Sequence, residues 1–280
     1  MALKLPGQWI WDSWYVFDGE NHHAFYLQAS RALGDPERRH RNTSVGHAIS
    51  KDLKNWTVLA DAIAPSEAPA PDSWTTWTGS IVREETGSWR MFYTGTSRED
   101  AGQRQTVCAA TSDDLISWTK VENLPVLSAD SRWYGTLAGG YPYEAFRDPW
   151  VYKMAGETDW TMLVTAELKH SEKPRERAAM AMAKSSDLVN WKLRPPTSKP
   201  DQGFSETEVF QYEVVDGVRF VRHGSKLGVY PQAFLRQPVT LPFQLTQIPR
   251  SWLSRRFENS PPTLVLTSLV RWMDAMKAAV

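Results

Sequence analysis

VGHAISKDLKNW (45–56) returns twice along the chain, as VCAATSDDLISW (107–118) and MAMAKSSDLVNW (180–191). The three stretches align without gaps, and each closes on Ser-x-Asp-Leu-x-x-Trp. A similarity that recurs at long intervals is typical of architectures built from one repeated supersecondary unit. The repeat therefore restricts the fold to classes built from repeated units, such as solenoids and propellers.

The residues in front of each repeat alternate between apolar and polar side chains. This period of two indicates β-strands and argues against a helical solenoid, whose period is 3.6 residues. Two such strands, joined by a glycine-containing turn, precede each copy, and the Asp-Leu-x-x-Trp turn leads into a fourth strand. A four-stranded repeat of this size is typical of a propeller blade. The strand pairs are WDSWYVFDGEN (11–21) with HHAFYLQAS (22–30), WTGSIVREETG (77–87) with SWRMFYTGTS (88–97), and RDPWVYKMAGE (147–157) with DWTMLVTAEL (159–168).

A further unit opens at SETEVFQYEVVDGVRFV (205–221), with the same order of strand, Asp-Gly turn and strand. We therefore predict an all-β protein, a five-bladed β-propeller of four-stranded antiparallel blades that forms a single domain over residues 1–280. The blades are expected near 9–60, 75–122, 144–195 and 205–240, and 241–280 is unassigned. Residues after 222 lose the repeat, which fits four blades with irregular ends, five blades with a degenerate or incomplete last one, or a shifted reading frame near residue 222.

Composition excludes several kinds of partner. Thirty-two basic and 32 acidic side chains cancel, so no long-range field favours a nucleic acid or an anionic membrane. Cys108 is the single cysteine, and no His-Glu-x-x-His pattern occurs, so we expect no metal and no cofactor. The N-terminal residues resemble no signal peptide, and no run of 18 apolar residues follows, which predicts a soluble, cytoplasmic protein.

Polar residues stand at the head of the first strand of each unit: Asp12, Ser80, Asp148 and Glu208. In a propeller these strands border the central channel, so their heads can converge. An ionised carboxylate in an apolar strand costs several kcal/mol unless it is paired. Cleavage of a glycosidic bond requires two carboxyl groups, one ionised and one protonated. The three acids therefore predict a glycosidase site, in which the adjacent Arg147 would keep Asp148 ionised.

These motifs resemble glycoside hydrolase family 32, the invertases and fructan hydrolases, and more loosely families 43 and 68. VGHAISKDLKNW and FRDPWV are similar to the family's Trp-Gly-His-Ala-x-Ser-x-Asp-Leu-x-x-Trp and Phe-Arg-Asp-Pro-x-Val blocks, and FYLQAS and WTGS resemble its Tyr-Gln and Ser-Gly-Ser elements. Two motifs depart from the pattern, since Trp11-Asp12-Ser13-Trp14 replaces Asn-Asp-Pro-Asn-Gly and Glu208-Val209-Phe210 replaces Glu-Cys-Pro.

The resemblance implies a role for each candidate residue. Asp12 would be the nucleophile, Asp148 the transition-state stabiliser and Glu208 the general acid/base. Glu206 is a rival acid two residues away on the same strand face. We favour Glu208 because the apolar Val209 and Phe210 that follow would desolvate it. The implied substrate-binding residues are Gln28, Ser80 and Arg147, which would hold sugar hydroxyls, and Trp77 or Trp14, which would pack against a ring. Asn42 is a further substrate-binding candidate, taken from a charged segment and not from the resemblance.

The charged segment RALGDPERRHRN (31–42) is either a solvated loop or the rim of the pocket, with Arg38, His40 or Asn42 contacting substrate. The function expected from the resemblance is retaining hydrolysis of β-fructofuranosides such as sucrose or short fructans. Two alternatives stay open: an inverting arabinosidase or xylosidase like those of family 43, and a non-catalytic carbohydrate-binding propeller.

Overall fold

The repeat forms four-stranded antiparallel sheets in the computed structural model, which describes residues 3–169, 173, 176–196, 204–215 and 218–226. We call the sheets blades 1 to 4 in chain order. Strands within a blade pair in sequence order, first with second, second with third and third with fourth. The strands are β1 Gln8–Phe17, β2 His22–Ser30, β3 Ser44–Ser50 and β4 Thr57–Val58 in blade 1; β5 Thr75–Arg83, β6 Trp89–Thr96, β7 Gln105–Ser112 and β8 Thr119–Lys120 in blade 2; β9 Phe146–Lys153, β10 Trp160–Glu167, β11 Ala178–Ser185 and β12 Lys192–Leu193 in blade 3; β13 Glu206–Val215 and β14 Val218–Lys226 in blade 4.

Helices are few and short among the described residues. They are three 3₁₀ helices, Arg31–Leu33, Pro36–Arg41 and Leu137–Gly139. None of the helices in the described part of the chain is long and apolar enough to cross a membrane. Helix Pro36–Arg41, which we call the rim helix, begins at Asp35, whose carboxylate accepts the Glu37 amide at 2.9 Å.

The Asp-Leu-x-x-Trp motif is a turn that joins the third and fourth strands of a blade. In blade 2 the Asp114 carboxylate accepts the backbone amides of Ile116 and Ser117 at 2.8 and 2.7 Å. Leu115 adopts a φ of 62°, and its carbonyl accepts the indole N–H of Trp118 at 3.1 Å. These hydrogen bonds offset the strain of the left-handed leucine. The same turn recurs at Asp52 and Asp187, which explains why the motif repeats.

Blades pack face to face through both sides of their central strands. In blade 2, Met91 and Tyr93 face blade 1, where they meet Phe25. Phe92 faces the opposite way and packs with Phe146 of blade 3. Because successive side chains of a strand point to opposite faces, one strand serves two interfaces, which is why its sequence is nearly continuously apolar.

The prediction of blades with four antiparallel strands is confirmed for blades 1, 2 and 3. In blade 4 the described residues form the first two strands. The fifth blade, the completeness of the last blade and the assignment of 241–280 lie outside the described residues. The single-domain boundary 1–280 therefore stays a prediction.

Every first strand contains a β-bulge. The pairing shifts at Asp12 in β1, at Thr78 in β5, after Arg147 in β9 and after Glu208 in β13. A bulge leaves an unpaired residue and re-aims its side chain. In blade 2 the bulge depends on Gly79, since a Cβ there would lie 2.0 Å from the Phe92 carbonyl oxygen.

The positions of the bulges change the sequence-based alignment of the residues at the heads of the first strands. The extra residues with positive φ are Asp12 at 30°, Asp148 at 57° and Val209 at 54°. Glu208 thus stands one residue before the bulge of β13. In β5 the extra residue is Thr78, and Ser80 stands two residues beyond it.

Candidate active site

The structure brings together the three acids predicted to be catalytic, each from a different blade. The charge of Glu208 disfavours ionisation of Asp12, and the charges of both residues disfavour ionisation of Asp148. Chain positions 12, 148 and 208 therefore converge on one site. Within the described residues, no group of three or more His, Cys, Asp and Glu side chains is placed to hold a metal ion.

Asp12 lies in the bulge of β1 and is held from blade 2. Its carboxylate accepts a hydrogen bond from the Thr78 hydroxyl at 2.6 Å. Asp12 is exposed to solvent when all its atoms are counted, but its carboxyl group is largely surrounded by protein atoms. This desolvation raises the pKa of Asp12, and the negative charge of Glu208 adds to the rise. The Thr78 hydrogen bond and His40 act in the opposite direction.

Asp148 is almost fully buried, with 6 % of its surface exposed. Its Oδ2 atom accepts from the Thr165 hydroxyl at 3.2 Å and from the Val209 amide at 3.4 Å. Arg147 Nε lies 3.5 Å from the same oxygen. The backbone amide of Asp148 donates to the Thr94 hydroxyl at 2.8 Å, so the bulge is fixed from the neighbouring blade.

Burial raises the pKa of Asp148 to about 7, although Arg147 lowers it. The charges of Asp12 and Glu208 add to the effect of burial. Arg147 therefore favours the ionised form of Asp148, as expected, but it does not outweigh the effect of burial. The physical reason is that Arg147 shares its positive charge with other acids, so it cannot cancel the desolvation of Asp148.

Arg147 is the buried cation around which the acids are arranged. Its Nη2 atom donates to Glu206 Oε2 and to Glu208 Oε1, each at 2.5 Å. Its Nη1 atom donates to Gln105 Oε1 at 3.0 Å. With 7 % of its surface exposed, Arg147 is engaged mainly by protein groups. Direct contact with a sugar hydroxyl stays a prediction for this residue.

The two candidate acids of β13 have different surroundings. The Glu206 side chain is 8 % exposed and also accepts a hydrogen bond from Tyr143, whereas the Glu208 side chain is 23 % exposed. A general acid/base must touch both the leaving oxygen and water, which favours Glu208.

One part of the sequence-based reason for choosing Glu208 does not agree with the structure. Phe210 packs with Leu163 and Met180 between blades 3 and 4, and Glu208 pairs with the Arg147 cation. The bulge after Glu208 redirects the strand, so that Phe210 belongs to the blade interface.

Two predicted substrate-binding residues are structural. Ser80 is 2 % exposed, and its hydroxyl donates to the Pro149 carbonyl at 2.8 Å and accepts from the Val151 amide at 3.0 Å. It therefore links blade 2 to blade 3. Trp14 is 3 % exposed and stacks on Phe25 in the interface between blades 1 and 2. Neither side chain is free to contact a sugar.

The other predicted binding residues lie partly in solvent. The Gln28 amide donates to Asp61 at 2.5 Å. The side chain of Asn42 ends the rim helix and donates to the Arg38 carbonyl at 2.8 Å. Trp77 is half-buried. Sugar contacts of Gln28, Asn42 and Trp77 stay predictions.

Segment 31–42 borders the site. Trp77 donates its indole N–H to the His40 carbonyl at 2.8 Å, and the His40 ring meets Trp11 edge-on at 5.8 Å. The rim interpretation of this segment therefore agrees with the structure better than the solvated-loop interpretation.

Sequence analysis missed two residues of the site, Thr78 and Trp11, and named His40 only as a rim residue that contacts substrate. Thr78 could have been found from Gly79, because a glycine inside a strand marks a bulge. Trp11 adjoins Asp12 and is half-buried, so it is placed better than Trp14 to meet a ligand. Nothing in the sequence pairs His40 with Asp12, since that proximity depends on the packing of the rim helix.

Comparison with known proteins agrees with this geometry. The family described as "Glycosyl hydrolases family 32 N-terminal domain" matches residues 9–237. An insoluble β-fructofuranosidase isoenzyme of Arabidopsis thaliana is 30% identical over 178 residues, which are 62% of this chain and 29% of that protein. A cell-wall β-fructofuranosidase of Zea mays is 36% identical over 123 residues, 42% of this chain and 19% of that protein.

The solved structure of a β-fructofuranosidase from Bombyx mori superimposes with a TM-score of 0.63 at 21% identity, over 82% of this chain and 44% of that one. A likeness at this identity shows the fold. The chain spans less than a third of the length of the Arabidopsis relative.

Four-stranded antiparallel blades whose first strands direct carboxyl groups to one site define a propeller of the glycoside hydrolase type. The chain belongs to glycoside hydrolase family 32. N-terminal domains of this family are five-bladed β-propellers, so the predicted fold class and the predicted family are confirmed.

Proposed function

We propose that this protein hydrolyses β-fructofuranosides, such as sucrose or short fructans, with retention of configuration at the anomeric carbon. The observation that carries the proposal is the meeting of Asp12 and Glu208, from blades 1 and 4, beside the buried pair of Arg147 and Asp148. Retaining hydrolysis requires two carboxyl groups on opposite sides of one glycosidic bond. The β-fructofuranosidases among the relatives support the choice of sugar.

Asp12 would attack the anomeric carbon and form a covalent glycosyl intermediate. Its hydrogen bond from Thr78 fixes the direction of the carboxylate. Glu208 would donate a proton to the leaving oxygen and then take one from the attacking water.

Asp148 would stabilise the transition state through hydrogen bonds to substrate hydroxyls. Its Oδ2 atom is engaged by Thr165 and Val209, which hold the carboxyl group in one orientation. A pre-oriented group loses little entropy when the transition state forms, which is the physical advantage of its burial.

Two substitutions test the catalytic assignment: Asp12→Asn and Glu208→Gln, assayed on sucrose and 1-kestose. Each should lower kcat/KM on the order of 10³-fold or more while the thermal unfolding midpoint stays close to that of the wild type. Wild-type hydrolysis by both variants would overturn the proposal.

The matched control for the acid is Glu206→Gln. A nitrophenyl leaving group departs without protonation, so a variant that lacks the acid loses much less activity on a nitrophenyl fructoside than on sucrose. We expect this pattern for Glu208→Gln. The same pattern for Glu206→Gln alone would move the acid role to Glu206.

The same screen tests the alternatives. Activity on nitrophenyl arabinofuranosides or xylosides, with inversion seen by proton NMR of the first product, would replace the proposal by a family 43-like hydrolase. Sugar binding in calorimetry without any product would indicate a carbohydrate-binding propeller. Cytoplasmic location is also a proposal; the cell-wall name of the Zea mays relative points elsewhere, and fractionation of the host cell tests it.

A further inference from the structure

The rim helix packs against two indole rings, those of Trp11 in blade 1 and Trp77 in blade 2. The His40 carbonyl accepts the Trp77 indole N–H at 2.8 Å, and the His40 ring meets the Trp11 ring at 5.8 Å with an interplanar angle of 70°. The guanidinium groups of Arg39 and Arg41 lie 5.5 and 5.7 Å from the Trp11 and Trp77 rings, respectively. These contacts fix the position of the helix by its C-terminal half.

The two indoles belong to the residues immediately before the bulges of β1 and β5. Trp11 precedes Asp12 and Trp77 precedes Thr78, and the Thr78 hydroxyl donates to Asp12 at 2.6 Å. His40 is therefore tied to both strands that hold the Asp12 carboxylate. Its position relative to Asp12 is set by blade packing rather than by a free loop.

His40 supplies Asp12 with an opposing charge, in addition to the hydrogen bond from Thr78. Among the charged groups of the described residues, Glu208 and Asp148 disfavour a charge on Asp12, whereas His40 favours the ionised carboxylate. Histidine is the side chain that gains its charge in the acid range. The guanidinium groups of Arg39 and Arg41 stack on the indoles.

We propose that His40 is a positioning residue that keeps Asp12 ionised in acid solution. The enzyme then retains its nucleophile at pH values where the negative charges of the neighbouring acids would otherwise favour protonation of Asp12. The proposal rests on the function proposed above, in which Asp12 is the nucleophile. His40 acts through Asp12 and not on the substrate.

The test is the pH profile of kcat/KM for sucrose in His40→Gln and His40→Lys. Both variants keep the backbone carbonyl that accepts from Trp77, so the anchor of the rim helix is retained. Because kcat/KM reports ionisations of the free enzyme, loss of the cation should move the acid limb of His40→Gln upward by roughly half a pH unit. On that limb this is about a threefold loss of activity. His40→Lys should keep the wild-type limb.

The matched control is Arg31→Gln, which removes an exposed cation from the adjacent 3₁₀ helix, where Arg31 donates to the Gln8 carbonyl at 3.0 Å. Its acid limb should coincide with that of the wild type. A purely structural role for His40 predicts loss of activity at all pH values, with no change in the limb and no rescue by lysine. That result would overturn the proposal.

A second readout needs no substrate. Titration of the Asp12 carboxyl carbon by NMR, assigned from the signal lost in Asp12→Asn, should show a higher midpoint in His40→Gln than in the wild type or in His40→Lys. Equal midpoints in wild type and His40→Gln refute the role of His40. A raised midpoint in a protein that hydrolyses no glycoside refutes the proposed function and leaves the electrostatic role intact.

Discussion

A buried pair of histidines in blade 1 should make the stability of the protein fall in mild acid. His23 and His47 are 2 % and 1 % exposed, and their ring nitrogens Nδ1 and Nε2 lie 3.0 Å apart. His23 Nε2 also lies 3.0 Å from Asp18 Oδ2, and His47 stacks on Phe25 at 4.3 Å between ring centroids.

The hydrogen-bond pattern explains why His47 resists protonation. The Asp18 carboxylate can only accept, so His23 Nε2 donates to it. In a neutral ring His23 Nδ1 is then an acceptor, and His47 Nε2 donates to that nitrogen. His47 Nδ1 has no hydrogen-bond partner in the described part of the chain. Protonation would create a buried N–H without an acceptor.

Burial, together with His23, lowers the pKa of His47 to about 4 from the ordinary value of 6.5. The unfolded chain therefore binds more protons than the folded one between these two pH values. The contribution to stability is complete above pH 6.5 and is lost as the pH falls towards 4. At 1.36 kcal/mol per pH unit the loss amounts to about 3 kcal/mol.

The assay is urea unfolding of the wild type and of His47→Gln between pH 7 and pH 4. The difference in unfolding free energy between the two proteins should shrink by about 3 kcal/mol over this range, because titrations common to both cancel. The control is Val45→Ala, a buried change in the same strand, whose cost should not depend on pH. Parallel stability curves for wild type and His47→Gln would refute the reasoning.

Two other predictions follow from buried hydrogen bonds. Ser80→Ala should lower the free energy of unfolding in urea by about 1 to 3 kcal/mol, because the Pro149 carbonyl loses its donor. The KM for sucrose should stay within about twofold of the wild-type value. A large change in KM with unaltered stability would mean that Ser80 binds substrate. The Tyr143 hydroxyl contacts both Glu206 and Glu167, and burial raises the pKa of Glu167, so Glu167 should take up its proton at a higher pH than an exposed glutamate does. Infrared difference spectra along an acid titration should show the carboxyl band that Glu167→Gln removes before the bands of exposed glutamates, and its appearance together with them would contradict this assignment.

The bulges explain most errors of the sequence-based prediction. In a regular strand Trp11 and Trp14 point to opposite faces, since side chains alternate. The bulge at Asp12 puts both on the side that packs against blade 2, where Trp14 is buried and Trp11 stays half-exposed. The head of β5 was misassigned for the same reason, and the site residue is Thr78 instead of Ser80.

The fold could be predicted from local patterns because each signal is complete within a few residues. The Asp187 carboxylate caps its own turn through the amides of Val189 and Asn190, so the motif that forms the turn is continuous in sequence. Alternation in each strand likewise needs no distant partner to be recognised.

The sequence by itself determined the blade repeat, the family and the three acids, because turns, strands and motif residues are specified by near neighbours. Only the tertiary structure decided which acids share the Arg147 cation, and that burial outweighs this cation at Asp148. It alone placed His40 against Trp11 and Trp77, where its charge acts on Asp12. Charges interact across space and through the water that packing removes, and neither distance nor hydration can be read from positions along a chain.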